Sequence, residues 1–201
     1  KNKFGKEEAR LESEGGPNAY DSLTQGAAQV PPGSEGCLFL PYLSGERTPH
    51  PDPHARGAFI GLSLRHGLEH MARSVLEGVS FGLNDSLSLM RKLGIDPSNV
   101  ILTGGGTRSG LWKQMLCDVF QADCSLVNAK EGAAYGAALL GAVGVGVFDS
   151  VESASDQWIA ETERVTPGEN TKDYQELYSI YGSLYPTLRK TFHSLAERVR
   201  E

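Results

Sequence analysis

Val100-Ile-Leu-Thr-Gly-Gly-Gly-Thr-Arg-Ser-Gly-Leu-Trp112 is the stretch on which the reading of this chain turns. Val100, Ile101 and Leu102 form the apolar run of a buried strand, and Gly104, Gly105 and Gly106 then turn the chain. Leu111, Trp112, Met115, Leu116, Val119 and Phe120 follow at helical spacing. A strand that breaks at glycines and restarts as a helix leaves unpaired N–H groups and the positive end of the helix dipole at the turn. The missing side chains let a flat or anionic ligand come close to the backbone.

Two nucleotide-binding patterns can be tested by spacing. A P-loop, G-x-x-x-x-G-K-[ST], needs a lysine that reaches the outer phosphates. Gly105 and Gly110 have the right separation, but Leu111 and Trp112 stand where Lys and Ser/Thr belong. A dinucleotide fingerprint, G-x-G-x-x-G, needs an acid ending the next strand to hold a ribose. Gly104 and Gly106 fit, Ser109 takes the third glycine position, and the next strand ends in Asn128. Both patterns fail in part, and a plain strand–turn–helix connection remains open at this level.

Working outward, 201 residues suit one domain, or one with a small appendage, and 39% hydrophobic residues suffice for a packed core. A formal charge of −6 argues against nucleic acid or an anionic membrane as partner, since both need clustered excess Lys and Arg. Cys37, Cys117 and Cys124 form an odd set without metal spacing, which reads as reduced thiols of a cytoplasmic protein. No signal peptide, lipid motif or spanning segment is visible; the most apolar stretch, Ala133 to Phe148, is too short and glycine-rich to cross a bilayer. The chain begins Lys1-Asn2-Lys3, without methionine, and reads as a processed product or an excised piece.

Residues 1–35, rich in Gly, Pro, Ser and Glu, read as a loop or short helix leading in from upstream. Gly36 to Leu43 reads as a strand interrupted by Pro41, and Gly57 to Leu64 as a second strand. Between them, Pro49, Pro51 and Pro53 make Ser44 to Arg56 an extended loop. A long helix is expected from about Gly67 to Leu93, with Gly94 as its stop. The strand at Val100, the glycine turn, a Leu111–Gln121 helix and a Cys124–Asn128 strand come next, then a small-residue helix from Glu131 to Val143. Ser150 to Pro167 reads as a polar segment with a short helix near Val151–Asp156, and two helices, about Lys172–Tyr185 and Thr187–Arg200, meet at Pro186. Alternating helices and strands argue for an α/β layer. With two strands clearly inside that alternation, either the two early strands join the sheet or part of it is missing.

Four segments together resemble the FGGY carbohydrate kinases. Gly57-Ala-Phe-Ile-Gly-Leu62, with His70-Met-Ala-Arg-Ser-Val-Leu-Glu77 after it, is similar to the family's second sequence pattern. Phe39-Leu-Pro-Tyr-Leu-Ser-Gly-Glu-Arg-Thr-Pro-His50 resembles a segment of the xylulokinase branch. Leu102 to Ser109 resembles the adenosine-binding turn, and Glu131-Gly-Ala-Ala-Tyr-Gly-Ala-Ala138 the helix after it. The resemblance implies an α/β, actin-like/ribonuclease H-like ATPase fold, with residues 36–201 as the C-terminal, nucleotide-side domain and 172–201 as its closing helices. It implies a partial domain too, without the first hairpin strands and without the N-terminal domain that mostly holds the sugar.

The implied chemistry is phosphoryl transfer from ATP, with Mg²⁺, to a sugar, D-xylulose foremost and glycerol, gluconate or ribulose as alternatives. A non-catalytic nucleotide-binding module of the same fold is the rival of a different class. Such transfer needs positioning, charge neutralisation and a carboxylate for the attacking hydroxyl. By resemblance, Gly104, Gly105, Gly106, Arg108, Ser109 and Gly110 border the nucleoside. Gly110 stands where, by the same resemblance, some relatives have a contacting asparagine. Arg108 as a solvated arginine and Ser109 as a helix cap are equally open. Arg47, on the proline loop, is a candidate cleft residue, or else a structural partner of Glu46. No base is found: Glu7, Glu8, Glu12, Glu14 and Asp21 match no family motif. The chain is therefore expected to be inactive alone, with its base upstream, and to self-associate or dimerise through bared apolar surface. No metal site is expected; His66 and His70 stand one helical turn apart without further ligands. Glu77 reads as a structural hydrogen-bonding residue, and Tyr174, Tyr178, Tyr181 and Tyr185 as a packing stripe.

Overall fold

In the computed structural model, residues 5–129 and 132–198 are described. Helices α1 (Lys6–Ser13) and α2 (Ala19–Ala28) come first, then the short strands β1 (Leu38–Leu40) and β2 (Ala58–Ile60) on either side of the proline loop. Helix α3 (Leu68–Lys92) leads into β3 (Asn99–Ile101), a 3₁₀ turn at Gly105–Arg108, α4 (Gly110–Phe120) and β4 (Asp123–Val127). Helices α5 (Gly132–Gly144) and α6 (Val151–Trp158), strand β5 (Glu161–Val165) and helix α7 (Thr171–Ala196) complete the order.

The strands form two sheets. β1 and β2 pair antiparallel, Phe39 facing Phe59, with ring centroids 4.6 Å apart. β3 lies parallel to β4, Val100 facing Cys124, and β4 lies antiparallel to β5, so the order is β3-β4-β5. The early strands thus do not join the β3–β4 layer. One core runs through the molecule: Leu38 and Leu40 of β1, Phe81 of α3, Met115, Cys117 and Val119 of α4, Cys124 of β4 and the tyrosines of α7. All three cysteines are free and buried.

Three expectations are corrected. The lead-in, expected as a loop or one short helix, holds two helices. α1 forms because Arg10 bridges Glu7 and Glu14, both at 2.6 Å, along one helical face. α2 starts where Asn18 accepts the Tyr20 amide, and buries Ala19 and Ala27. The polar segment after Ser150 contains a strand, β5, which pairs with β4 through backbone while its charged side chains face solvent. The two closing helices are one, α7, continuous through Pro186. Tyr174, Tyr181 and Tyr185 before the proline and Phe192 beyond it are buried on the same core, which holds both halves in line despite the lost amide donor. Glu131, expected to open α5, and Arg200, expected to close the last helix, lie outside the described residues.

Candidate functional site

The glycine turn sits where β3 ends and α4 begins. Leu102 still donates its amide to Ser125 O at 2.8 Å, then Gly104 adopts φ +93°, a left-handed conformation that side-chain-bearing residues rarely take. Thr107 clamps the turn, its Oγ1 donating to Gly104 O at 2.7 Å. Ser109 Oγ accepts the Trp112 amide at 3.2 Å and so caps α4. The capping role weighed for Ser109 is therefore real, whatever else it touches.

The glycines of the turn differ in what keeps them bare. A Cβ on Gly106 would lie 2.1 Å from the Trp112 ring, which packs against it while Nε1 donates to Ser80 Oγ at 3.0 Å. Gly106 is thus held small by the protein's own tryptophan. A Cβ on Gly104, Gly105 or Gly110 would meet nothing within 4 Å. Those three border an exposed backbone face at the N-terminus of α4. Arg108 stands exposed beside it, and its guanidinium makes no hydrogen bond or ion pair to another described residue. Of the six residues singled out from sequence, Gly104, Gly105, Arg108 and Gly110 are thus exposed on the turn, while Gly106 and Ser109 are half-buried in it.

The proline loop forms a second feature. A cavity of about 490 Å³ is lined by Glu46, Arg47, Asp52 and their neighbours. Glu46 Oε1 accepts the amides of Arg47 (2.7 Å) and Thr48 (2.9 Å), so Glu46 braces backbone and does not pair with the Arg47 guanidinium. Arg47 is exposed. Sequence reasoning missed Asp52, which is 5% exposed and accepts from Tyr185 Oη (2.7 Å), His193 Nε2 (2.8 Å) and the His54 amide (2.8 Å). Burial pushes its carboxyl up. The bonds from Tyr185, His193 and His54, with the charge of His193, outweigh that and hold it well below the usual carboxylate range. The only signal in the sequence is an acid wedged between Pro51 and Pro53.

The tyrosine stripe packs as expected, and every hydroxyl on it is partnered. Tyr178 donates to Asp85 at 2.6 Å, Tyr181 to Tyr42 at 3.2 Å, and Tyr174 accepts from Arg73 at 2.8 Å. Glu77 is structural: it accepts from the Gly33 amide, Ser34 Oγ and Arg73 Nε, each at 2.9 Å, tying the end of α2 to α3. Burial raises its pKa against the pull of those donors. His66 and His70 touch edge to face at 5.3 Å, and no group of three or more His, Cys, Asp or Glu among the described residues is arranged for a metal. An apolar groove of about 660 Å³ lies between α2, α3 and the β1–β2 sheet, lined by Phe39, Phe59, Met71 and Val75. Neither cavity reaches the glycine turn. No helix among the described residues is long and apolar enough to cross a membrane.

Comparison with known proteins gives a consistent set. Residues 2–145 match the model of the FGGY family of carbohydrate kinases, C-terminal domain. A xylulose kinase of Bacillus subtilis (strain 168) is 37% identical over 171 residues, 84% of this chain and 34% of its own length. A gluconokinase of the same organism is 37% identical over 202 residues, 100% of this chain and 39% of its own length. Among solved structures, ligand-bound xylulose kinase from Lactobacillus acidophilus aligns with a TM-score of 0.81 at 28% identity, over 87% of this chain and 36% of that one. Gluconate kinase from the same organism gives 0.80 at 28% identity, over 87% and 36%. The architecture is therefore the mixed α/β one of actin-like sugar kinases. This chain spans about a third of the length of the curated relatives it matches.

Proposed function

We propose a sugar-kinase function from one premise: this chain belongs to the FGGY family of carbohydrate kinases, whose C-terminal-domain model it matches over residues 2–145. In this reading the chain is the nucleotide side of a cytoplasmic enzyme that moves the γ-phosphoryl group of ATP to a hydroxyl of a sugar, D-xylulose first. The observation that supports it is the open backbone face at Gly104, Gly105 and Gly110, at the N-terminus of α4. Adenosine lies along that face, with Gly106 and Trp112 as its floor and Arg108 and Ser109 at its border. Unpaired amides and the helix dipole favour the electron-rich ligand.

Arg47 meets the charge that develops on the transferring group, and the carboxylate that takes the sugar proton belongs to polypeptide outside this chain. ATP brings Mg²⁺, which neutralises the phosphates. The described residues hold no cluster that fits the ion, so none of them is assigned to it. The 201-residue chain alone is expected to be inactive. The gluconokinase match over the whole chain supports gluconate as the second acceptor.

Gly105→Val is the direct test, because a Cβ there would meet nothing within 4 Å beyond its chain neighbours. In a full-length kinase it should cut ADP affinity at least tenfold at unchanged melting temperature; unchanged affinity would refute the site. Turnover against xylulose, gluconate, ribulose and glycerol identifies the acceptor, and nucleotide binding without any turnover would identify a non-catalytic module.

A further inference from the structure

We infer that Asp52 is a positioning residue for Arg47: it moors the proline loop to α7 and thereby fixes where the Arg47 guanidinium stands. The role of Arg47 at the phosphoryl group rests on the function proposed above; the mooring itself does not.

Residues 46–52 close into a ring. The amide of Glu46 donates to Asp52 O and that of Asp52 to Glu46 O, both at 2.9 Å. Within the ring, the Glu46 carboxylate takes the Arg47 and Thr48 amides, and Pro49 and Pro51 fix their own φ. The ring therefore has little internal freedom. Its direction depends on what holds it from outside, and helix α7 supplies the hydrogen-bonding part of that hold, beside an edge-on contact of the His50 ring with Tyr42. Asp52 Oδ2 takes both Tyr185 Oη and His193 Nε2, while the His50 ring stacks on the Tyr185 ring at 4.0 Å and 16°. Charge-assisted bonds from two donors define orientation in a way apolar packing does not.

What this arrangement presents is an exposed guanidinium at the tip of a rigid ring. A cation held in place before its ligand arrives forfeits less entropy when the ligand binds. Helix α7 lies wholly beyond residue 145, where the family match ends, so the mooring comes from a part of the chain that the family model does not cover.

The test uses full-length kinase carrying Tyr185→Phe, which removes one hydroxyl and leaves the His193 and His54 bonds, beside Asp52→Asn, Arg47→Ala and Arg47→Ala/Tyr185→Phe. Hydrogen exchange at Arg47 and Thr48 should accelerate at least tenfold in Tyr185→Phe, with α3 amides unchanged. Because displacing a positioned group by about 1 Å costs on the order of 100-fold, kcat should fall about 10- to 100-fold, with KM for ATP within about twofold. That fall should vanish in the Arg47→Ala background. Unchanged exchange at Arg47 and Thr48 in both Tyr185→Phe and Asp52→Asn overturns the mooring. Faster exchange with unchanged kcat, or a kcat loss that persists without Arg47, overturns the positioning role. A wild-type protein that phosphorylates none of the sugars sinks the kinase reading instead, while exchange still decides the mooring.

Discussion

Replacing Glu77 by alanine should destabilise the fold by about 3–5 kcal/mol, the range for breaking a buried ion pair from one side. The structure says where the cost arises. Glu77 is 0% and Arg73 4% exposed, so neither charge is shared with solvent. Truncation orphans the Gly33 amide and the Ser34 hydroxyl and strips Arg73 of its counter-charge. Each orphaned neutral donor costs about 1–3 kcal/mol unless water reaches it. Arg73 keeps its bonds to Ala27 O, Val30 O and Tyr174, which limits the total. Removing both charges together, as Arg73→Met/Glu77→Leu, should cost less than Glu77→Ala alone, since no uncompensated charge is left in the core. Urea unfolding followed by tryptophan fluorescence measures wild type and both variants. A loss under about 1 kcal/mol for Glu77→Ala, or a double variant more damaged than Glu77→Ala, would show that the pair is not the clip between α2 and α3.

Gly106→Ala should destabilise by about 1–3 kcal/mol through overpacking against Trp112, whereas Gly105→Ala should leave the melting temperature nearly unchanged; equal effects would mean the tryptophan does not define Gly106. The bonds to Asp52 depress its pKa, so they add stability that is fully present above its ordinary value of 3.8 and is lost as pH falls below it. Wild type should therefore lose more stability than Asp52→Asn between about pH 5 and pH 2, and parallel curves would remove Asp52 from the account. The 201-residue chain should associate at high concentration, because Ile101 is 56%, Leu140 63% and Val145 80% exposed. Light scattering that gives 21.6 kDa throughout a wide concentration range would contradict this.

The parts legible in the sequence were those whose burial follows a short period. α3 and α4 bury one face each, so their apolar spacing marked them, and Gly94 and Ser109 marked two of their ends. β5 was hidden because only Val165 of Glu161-Thr-Glu-Arg-Val165 packs on the core: the other four residues are exposed, and β4 pairs with it through backbone. α1 and α2 were half-hidden by a composition that suggests a loop or one short helix, though Arg10 and Asn18 supply local bonds that favour two. Pro186 suggested a break that packing on both sides overrides. At the site, the glycines announced a turn but not their separate causes; Trp112 claims Gly106 from six positions along the chain. Asp52 was out of reach, since its partners Tyr185 and His193 lie 133 and 141 residues away.

The two rims of the three-stranded sheet are not alike. On the β5 rim, Arg164 is bound to Glu161 (2.6 Å) and Asp123 (3.4 Å), and Lys113 to Glu163, so an incoming strand would have to pry apart a row of paired charges. Arg164 and the Ser125 hydroxyl hold the Glu161 carboxyl down to about 2. The β3 rim, Asn99-Val-Ile101, carries no charge. Of this sheet's two rims among the described residues, strand addition therefore favours β3. Two chains meeting rim to rim at β3 would cover the uncharged margin of each three-stranded sheet and leave only charged rims on it.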